Sequence, residues 1–266
     1  MVATDDACDI VTIAILAKDK AHSLPLYLKQ ILAQTYPKDK TYLYIRTNNN
    51  NDGTVAILQN FIDLHGTKYI EVYFDASDVE APVQTYGQHE WNPTRFKVLG
   101  KIRQESMAWA RAKHSHYFVC DCDNFIYPNT LEDLMKAGLP IVAPLLHTGE
   151  SPQGRSIHYS NYHAAIDANG YYADTPIYLP LWSTDIKGYV QVPVVHCTYL
   201  VDYQYLDSLC YDDGTGRYEY VIFSHSARKA DIPQYLDTHQ VYGRITFAEN
   251  AKELAREEWL LEFMDV

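Results

Sequence analysis

Near the start of the chain, Ile10-Val11-Thr12-Ile13-Ala14-Ile15-Leu16 forms a continuous apolar, β-branched run without polar alternation. A strand that is apolar on both faces belongs inside a sheet covered on both sides, the usual setting of parallel strands. Leu24, Leu28, Ile31 and Leu32 then recur at helical spacing until Tyr36-Pro37 stops the pattern. Tyr42-Leu43-Tyr44-Ile45 reads as a second strand, Asn48 to Gly53 as a polar turn, and Thr54 as the start of a helix carrying Val55, Leu58, Phe61 and Ile62. Ile70-Glu71-Val72-Tyr73-Phe74 supplies a third strand.

After a loop containing Pro82 and Pro93, Phe96 to Ala112 has helical periodicity and leads into the short buried strand Tyr117-Phe118-Val119-Cys120. The alternation β-α-β-α-β through residue 124 predicts an α/β fold with a doubly wound, mostly parallel sheet. Ligands of such sheets sit beyond the carboxyl ends of the strands. Past Gly138 the pattern is mixed. Ile141-Val142-Ala143-Pro144 and Val192-Pro193-Val194-Val195 read as strands, residues 218–230 as a helix, Gln234-Tyr235-Leu236 as a short late strand, and 248–263 as a terminal helix. With no repeat or linker, one domain over residues 1–266 is the simplest division.

Composition narrows the partners. A net charge of −12 without a basic stripe argues against nucleic acid. No apolar stretch approaches the roughly 18 residues of a membrane span. Met1 to Cys8 carries acids and lacks the basic start and apolar run of a signal peptide. The 5 cysteines form no CxxC, and Asn92-Pro93-Thr94 is excluded as a glycosylation sequon by its proline. These features point to a reducing, cytoplasmic setting. The 23 tyrosines offer stacking surfaces for sugars and bases, although most are expected simply to pack.

The chemistry centres on Asp121-Cys122-Asp123, directly after a buried strand. Extended residues at i and i+2 point to one side, so both carboxylates are expected to face one cation. Hard oxygen ligands suit Mg²⁺ or Mn²⁺, which can clamp a diphosphate and neutralise a leaving group; the bland alternative is an acidic turn. Asn48-Asn49-Asn50-Asn51-Asp52-Gly53 imitates a calcium loop, but it begins with Asn48 and has Gln59 where the twelfth-position Glu belongs. It can instead hydrogen-bond a nucleoside, or merely turn the chain. Cys120 and Cys122 near His114 and His116 lack the second pair that a zinc site requires. One or two of Arg95, Lys97, Lys101 and Arg103 are placed to reach a diphosphate, if they are not a solvated helix face. Glu219, at the head of a helix, is a candidate general base or a plain dipole-stabilising acid.

Several strings carry a resemblance: Ala14-Ile15-Leu16-Ala17-Lys18-Asp19-Lys20-Ala21-His22-Ser23-Leu24-Pro25, Cys120-Asp121-Cys122-Asp123-Asn124-Phe125, Ile141-Val142-Ala143-Pro144, Tyr159-Ser160-Asn161 and Val192-Pro193-Val194-Val195-His196. In order, from about residue 10 to residue 245, they resemble the N-terminal GT-A domain of procollagen galactosyltransferases. The resemblance implies a GT-A glycosyltransferase fold, with a nucleotide-binding part over about 9–125, an acceptor-side part over about 126–245 and a C-terminal helix over about 248–263. It implies hexose transfer from a UDP-sugar, with Mn²⁺ or Mg²⁺, to hydroxylysine or galactosyl-hydroxylysine of a collagen-like polypeptide. By the resemblance Leu16, Ala17 and Asn48 would line the nucleoside site; by their position, Asp121 and Cys122 of the acidic triplet and Arg103 of the preceding helix are expected to complete the donor site.

Glu219 falls where the family carries an acidic residue, and in an inverting reaction it would take the hydroxyl proton. Asp121 and Asp123 would hold the metal, with His239 as third ligand from a late segment folding back over the nucleotide; the family's own His corresponds to Val241. The family also continues into a second glycosyltransferase domain and carries secretory signals, neither of which this sequence displays. The glucosyltransferase domain of lysyl hydroxylases is similar as well, so galactose and glucose both stand as donors. Two other readings are a transferase for a non-collagen glycan and a non-catalytic nucleotide-sugar-binding module.

Overall fold

A computed structural model describes residues 8–79, 93–149 and 158–263. The acidic segment before Cys8 and the loop around Pro82 lie outside the described residues. The apolar run becomes β1 (Val11–Ala17), paired in parallel with β2 (Thr41–Thr47), which pairs in parallel with β3 (Glu71–Asp75). The crossovers are α1 (Leu24–Ala33) and α2 (Thr54–His65). Next, α3 (Pro93–Ala112) carries the chain back to the opposite side of β1, where β4 (His116–Cys120) adds in parallel. The winding reverses at the β1–β4 boundary, so a crevice opens beyond the carboxyl ends of those two strands.

The second half begins with β5 (Asn124–Ile126) and α4 (Thr130–Ala137). That helix ends at Gly138, whose φ of 59° is a left-handed cap that a glycine adopts without steric cost. Then come β6 (Ile141–Pro144), β7 (Leu146–Thr148), β8 (Tyr162–His163), α5 (Tyr178–Trp182), β9 (Tyr189–Val192), β10 (Val194–Val195) and β11 (Thr198–Val201). The chain closes with α6 (Glu219–Lys229), β12 (Gln234–Asp237), β13 (Gly243–Ile245) and α7 (Ala251–Leu254). The 8-stranded sheet runs β3-β2-β1-β4-β11-β6-β12-β9, with β11 and β9 reversed. A 3-stranded sheet, β5-β13-β7, and a β8–β10 pair complete the pairing.

Period-2 alternation divides the core between the two faces of the large sheet. Ile13, Ile15 and Phe118 pack with Leu24, Tyr27, Leu43 and Leu58 under α1 and α2. Ala14, Tyr117 and Val119 face Met107, Ala110, Tyr199 and Phe223 under α3 and α6. Fully burying each large side chain stabilises the fold by about 1.5–3 kcal/mol.

Three local expectations are corrected. The strand read across residues 192–195 is two strands in different sheets, because Pro193 has no N–H to continue a ladder and its carbonyl instead accepts from Gln234 Nε2 at 2.9 Å. The terminal helix is interrupted: α7 spans one turn after its Asn250 cap, and a 3-10 segment, Glu258–Phe263, follows. The break is seen in tightened i→i+3 bonds, Arg256 N–H to the Glu253 carbonyl at 3.0 Å and Glu257 N–H to the Leu254 carbonyl at 3.1 Å, after which Trp259 and Phe263 pack beside Phe125. Finally, the acidic triplet is not extended. Asn124 N–H donates to the Asp121 carbonyl at 2.9 Å, so residues 121–124 form a tight turn between β4 and β5. No helix among the described residues is long and apolar enough to cross a membrane.

Candidate active site

Two buried or half-buried cations meet the acidic turn. Arg103 comes from the middle of α3 and is only 5% exposed. Its Nη2 donates to Asp121 Oδ1 at 2.7 Å, and its Nε stands 3.6 Å from Glu219 Oε1 at the head of α6. One guanidinium therefore joins the metal-ligand candidate to the general-base candidate. Its Nη1 is buried without a partner among the described residues. Lys20, in the loop after β1, reaches Asp123 Oδ2 at 3.0 Å.

Burial shifts these groups in the directions electrostatics requires. It raises the Asp121 carboxyl above its usual range, with Arg103 pulling it down and Asp123 pushing it further up. It raises Glu219 likewise, again opposed by Arg103. Burial works against the Lys20 charge, but Asp123 outweighs it and the ammonium titrates above its ordinary value.

The asparagine-rich turn has a structural use that its composition did not disclose. Asp19 N–H donates to Asn50 Oδ1 at 2.9 Å, and Asn51 N–H returns to Asp19 Oδ1 at 2.7 Å. Lys20 N–H donates to Thr54 Oγ1 at 2.8 Å and Ala21 N–H to Asp52 Oδ2 at 2.9 Å. Asp19 sits at φ 52°, a left-handed conformation that a short polar side chain tolerates. The β2–α2 loop thus holds the β1–α1 loop, and with it Lys20, against the acidic turn.

These elements wall a cavity of about 320 Å³ beyond the ends of β1, β2 and β4. Leu16, Asn48, Arg103, Asp121, Cys122 and Asp123 all line it, so six of the expected site residues converge. Ala17 is buried at the end of β1 but is not part of the wall. Glu219 also stands off the wall, behind Arg103. Arg95 lines the cavity from α3; Lys101 instead projects outward toward Glu105.

His239 is a correction. It follows β12, three strands from β4 and therefore about 14 Å across the sheet. Its Nδ1 bonds Asp237 Oδ1 at 2.7 Å and its ring packs on Tyr189, so it is not brought to the acidic pair. The late segment that does fold over the pair is the end of β13: Thr246 N–H donates to the Asp123 carbonyl at 2.9 Å, and Ile245, Thr246 and Phe247 line the cavity.

Sequence reasoning gave no role to Lys18, Lys20, Tyr159 or Phe247, all on the wall. Position offered a signal for the lysines, since residues just past a strand's carboxyl end face the crevice. Tyr159 and Phe247 arrive through long-range pairing that no local pattern reveals.

A hard divalent cation fits this donor set. One oxygen of each carboxylate, Oδ2 of Asp121 and Oδ1 of Asp123, makes no hydrogen bond among the described residues. Two carboxylate oxygens beside a diphosphate satisfy Mg²⁺ or Mn²⁺, which keep waters for the other positions. Among the described residues no third His, Cys, Asp or Glu joins them. The Cys120 and Cys122 thiols point instead to the carbonyls of Asn124 and Leu16.

The family described as "Glycosyltransferase family 25, N-terminal domain" matches residues 8–265. The chain belongs to it. Procollagen galactosyltransferase 2 of Homo sapiens is 32% identical over 243 residues, covering 88% of this chain and 38% of that protein. Procollagen galactosyltransferase 1 of Danio rerio is 31% identical, covering 88% and 39%. A Mus musculus relative named inactive glycosyltransferase 25 family member 3 is 28% identical over 265 residues, covering 96% and 44%. The chain thus spans about two-fifths of the length of these relatives.

Solved structures agree on the fold. S. aureus TarS 1-349 in complex with UDP-GlcNAc superposes with a TM-score of 0.57 at 13% identity, covering 96% of this chain and 64% of that one. GalNAc-T7 with UDP, GalNAc and Mn²⁺ gives 0.55 at 12% identity, covering 95% and 48%. The fold of this family 25 chain is GT-A, an α/β architecture on a large, mostly parallel sheet.

Proposed function

We propose that this chain is a metal-dependent transferase that moves a hexose, galactose or glucose, from a UDP-sugar to hydroxylysine or galactosyl-hydroxylysine of a collagen-like polypeptide. The observation that carries the reading is the charge of the cavity. In a chain of net charge −12, its wall gathers Lys18, Lys20, Arg95 and Arg103 around Asp19, Asp121 and Asp123. Such a wall suits a diphosphate bound together with a divalent cation. The acceptor class is supported by the relatives named procollagen galactosyltransferases.

In this reading Leu16 and Asn48 flank the nucleoside, and Lys20 and Arg103 orient the diphosphate over Asp121 and Asp123. A cation held by the two carboxylates would neutralise charge building on the departing diphosphate. Glu219 has two candidate roles. As general base it would accept the acceptor's hydroxyl proton, and burial has already raised its proton affinity. As a positioning residue it would hold Arg103, a role that the ion pair and its place behind the wall favour. The division into nucleotide-binding and acceptor-side parts belongs to the same proposal, since the cavity draws on β1 and β4 on one side and on Tyr159 and β13 on the other. A cytoplasmic setting is likewise part of it and rests on composition alone.

The test is a donor-by-acceptor screen. UDP-galactose, UDP-glucose and UDP-N-acetylglucosamine are offered with bare and galactosylated hydroxylysine peptides, with Mn²⁺ or with chelator. Metal-dependent UDP release with one hexose donor, increased by a hydroxylysine acceptor, is expected. No release from any donor would favour the non-catalytic binding module, and acceptor-independent release only would favour a non-collagen glycan.

A further inference from the structure

Beyond the acidic pair the cavity wall changes character. Phe247 is 47% exposed and Tyr159 is 37% exposed, and both line the cavity. Their rings meet edge to face, with centroids 5.3 Å apart and planes at 61°, so they form a corner rather than a stack.

Neither ring is displayed on a loose segment. Thr246, before Phe247, is tied to the Asp123 carbonyl at 2.9 Å. Ala248, after it, donates to Thr246 Oγ1 at 3.0 Å, and its carbonyl is bound by His22 Nε2 at 2.9 Å. The Tyr159 carbonyl accepts from Thr148 N–H at 3.3 Å, and the next residue, Ser160, is anchored to the Leu146 carbonyl at 2.6 Å. A phenylalanine half exposed to water on a pinned backbone forgoes burial that a small rotation of a free loop would recover.

The place of this corner is set by sheet order. Asn48 follows β2, Leu16 lies near the end of β1, the acidic turn follows β4, and Cys197 precedes β11, the next strand over. Asp121 N–H donates to the Cys197 carbonyl at 3.0 Å, and the ring of the neighbouring His196 lies 5.8 Å from that of Tyr159. The nucleoside side and the Cys197–Tyr159 edge therefore flank the acidic turn, with Leu16 one strand from β4 and Asn48 two, about 5 and 10 Å at the usual strand spacing.

We propose that Phe247 and Tyr159 form a pyranose subsite, in which the apolar C–H face of a hexose packs on the Phe247 ring and Tyr159 closes the corner. The proposal rests on the reading of the chain as a UDP-hexose transferase. The shared chemistry is a hexopyranose ring, and its two sources are the donor's hexose and a hexose already on the acceptor.

Phe247→Ala, Phe247→Trp and wild type are compared by calorimetric binding of UDP and of UDP-hexose, and by KM for bare and galactosylated hydroxylysine peptides. Because the ring is exposed, neither substitution should disturb the fold, and thermal melts check this. Phe247→Ala should leave UDP affinity within about twofold while weakening a sugar-bearing ligand about tenfold, and Phe247→Trp should retain it. A loss in UDP-hexose affinity assigns the subsite to the donor, and a loss confined to KM of the galactosylated peptide assigns it to the acceptor. Equal loss on UDP itself, or no loss on any sugar-bearing ligand, overturns the subsite while leaving the transferase reading intact. A wild-type protein that binds neither UDP nor UDP-hexose overturns the transferase reading, and the subsite with it.

Discussion

Replacing Arg103 by Met tests the electrostatic centre of the site directly. Methionine keeps most of the length and apolar volume of the side chain while removing the charge that Asp121 and Glu219 share. Their side chains are 27% and 8% exposed, so Glu219 is left with an uncompensated buried charge and Asp121 with a half-screened one. Removing one partner of a buried pair costs about 3–5 kcal/mol, and the partial exposure of Asp121 places the expectation at the lower end, about 3 kcal/mol. At roughly 2–3 °C per kcal/mol for a chain of this size, Tm should fall about 6–9 °C at neutral pH.

The loss should also depend on pH. Both carboxyls already titrate above their ordinary values in the folded protein, so folding holds extra protons between the unfolded and folded pKa values. Stability is therefore lost as pH rises through that window. Arg103 opposes both shifts, and without it the window extends upward. The Tm deficit of Arg103→Met should be largest at pH 8 and shrink toward pH 5, and adding Glu219→Gln should restore part of it at pH 8. Thermal melts followed by circular dichroism in chelator, at constant ionic strength from pH 5 to 8, measure this. A deficit that is the same at both ends, or smaller than about 2 °C throughout, would refute the shared-cation argument.

Asp123→Ala should lower turnover about 10²-fold or more and remove the response to added Mn²⁺, measured as UDP release; full turnover of the variant in chelator would count against a metal site here. Glu219→Gln should raise the donor KM by loosening Arg103; a fall in kcat of about 10²–10⁴ with unchanged KM and loss of the acidic limb of the pH–rate profile would instead assign it as the base. His239→Ala should leave metal and UDP affinity within about twofold of wild type by calorimetry, because its ring is held at Asp237 and Tyr189; a clear loss of metal affinity would return it to the site.

Local pattern decided much of the architecture. The run at residues 10–16 is apolar on both faces, and that alone places it in a covered parallel sheet. Helical spacing at Leu24, Leu28 and Ile31, and again over residues 96–112, determined the crossovers, because one apolar stripe must face the sheet. The acidic triplet after a central strand marked the cavity, since the crevice of a doubly wound fold opens beyond the carboxyl ends of those strands.

Only tertiary structure decided which side chains meet. The pairing of Lys20 with Asp123 spans 103 residues in sequence, and that of Arg103 with Glu219 joins two helices. The acidic pair reaches one cavity through a turn rather than strand alternation, because Asn124 closes back on Asp121 to start β5. His239 and Phe247 lie in the same late segment, and their spacing along the chain does not distinguish them. The ladder of β12 with β6 and β9 carries His239 away from the acidic pair, whereas the pairing of β13 with β5 brings Phe247 to it. Strand register is a property of the assembled sheet, and so it determined the far wall of the site.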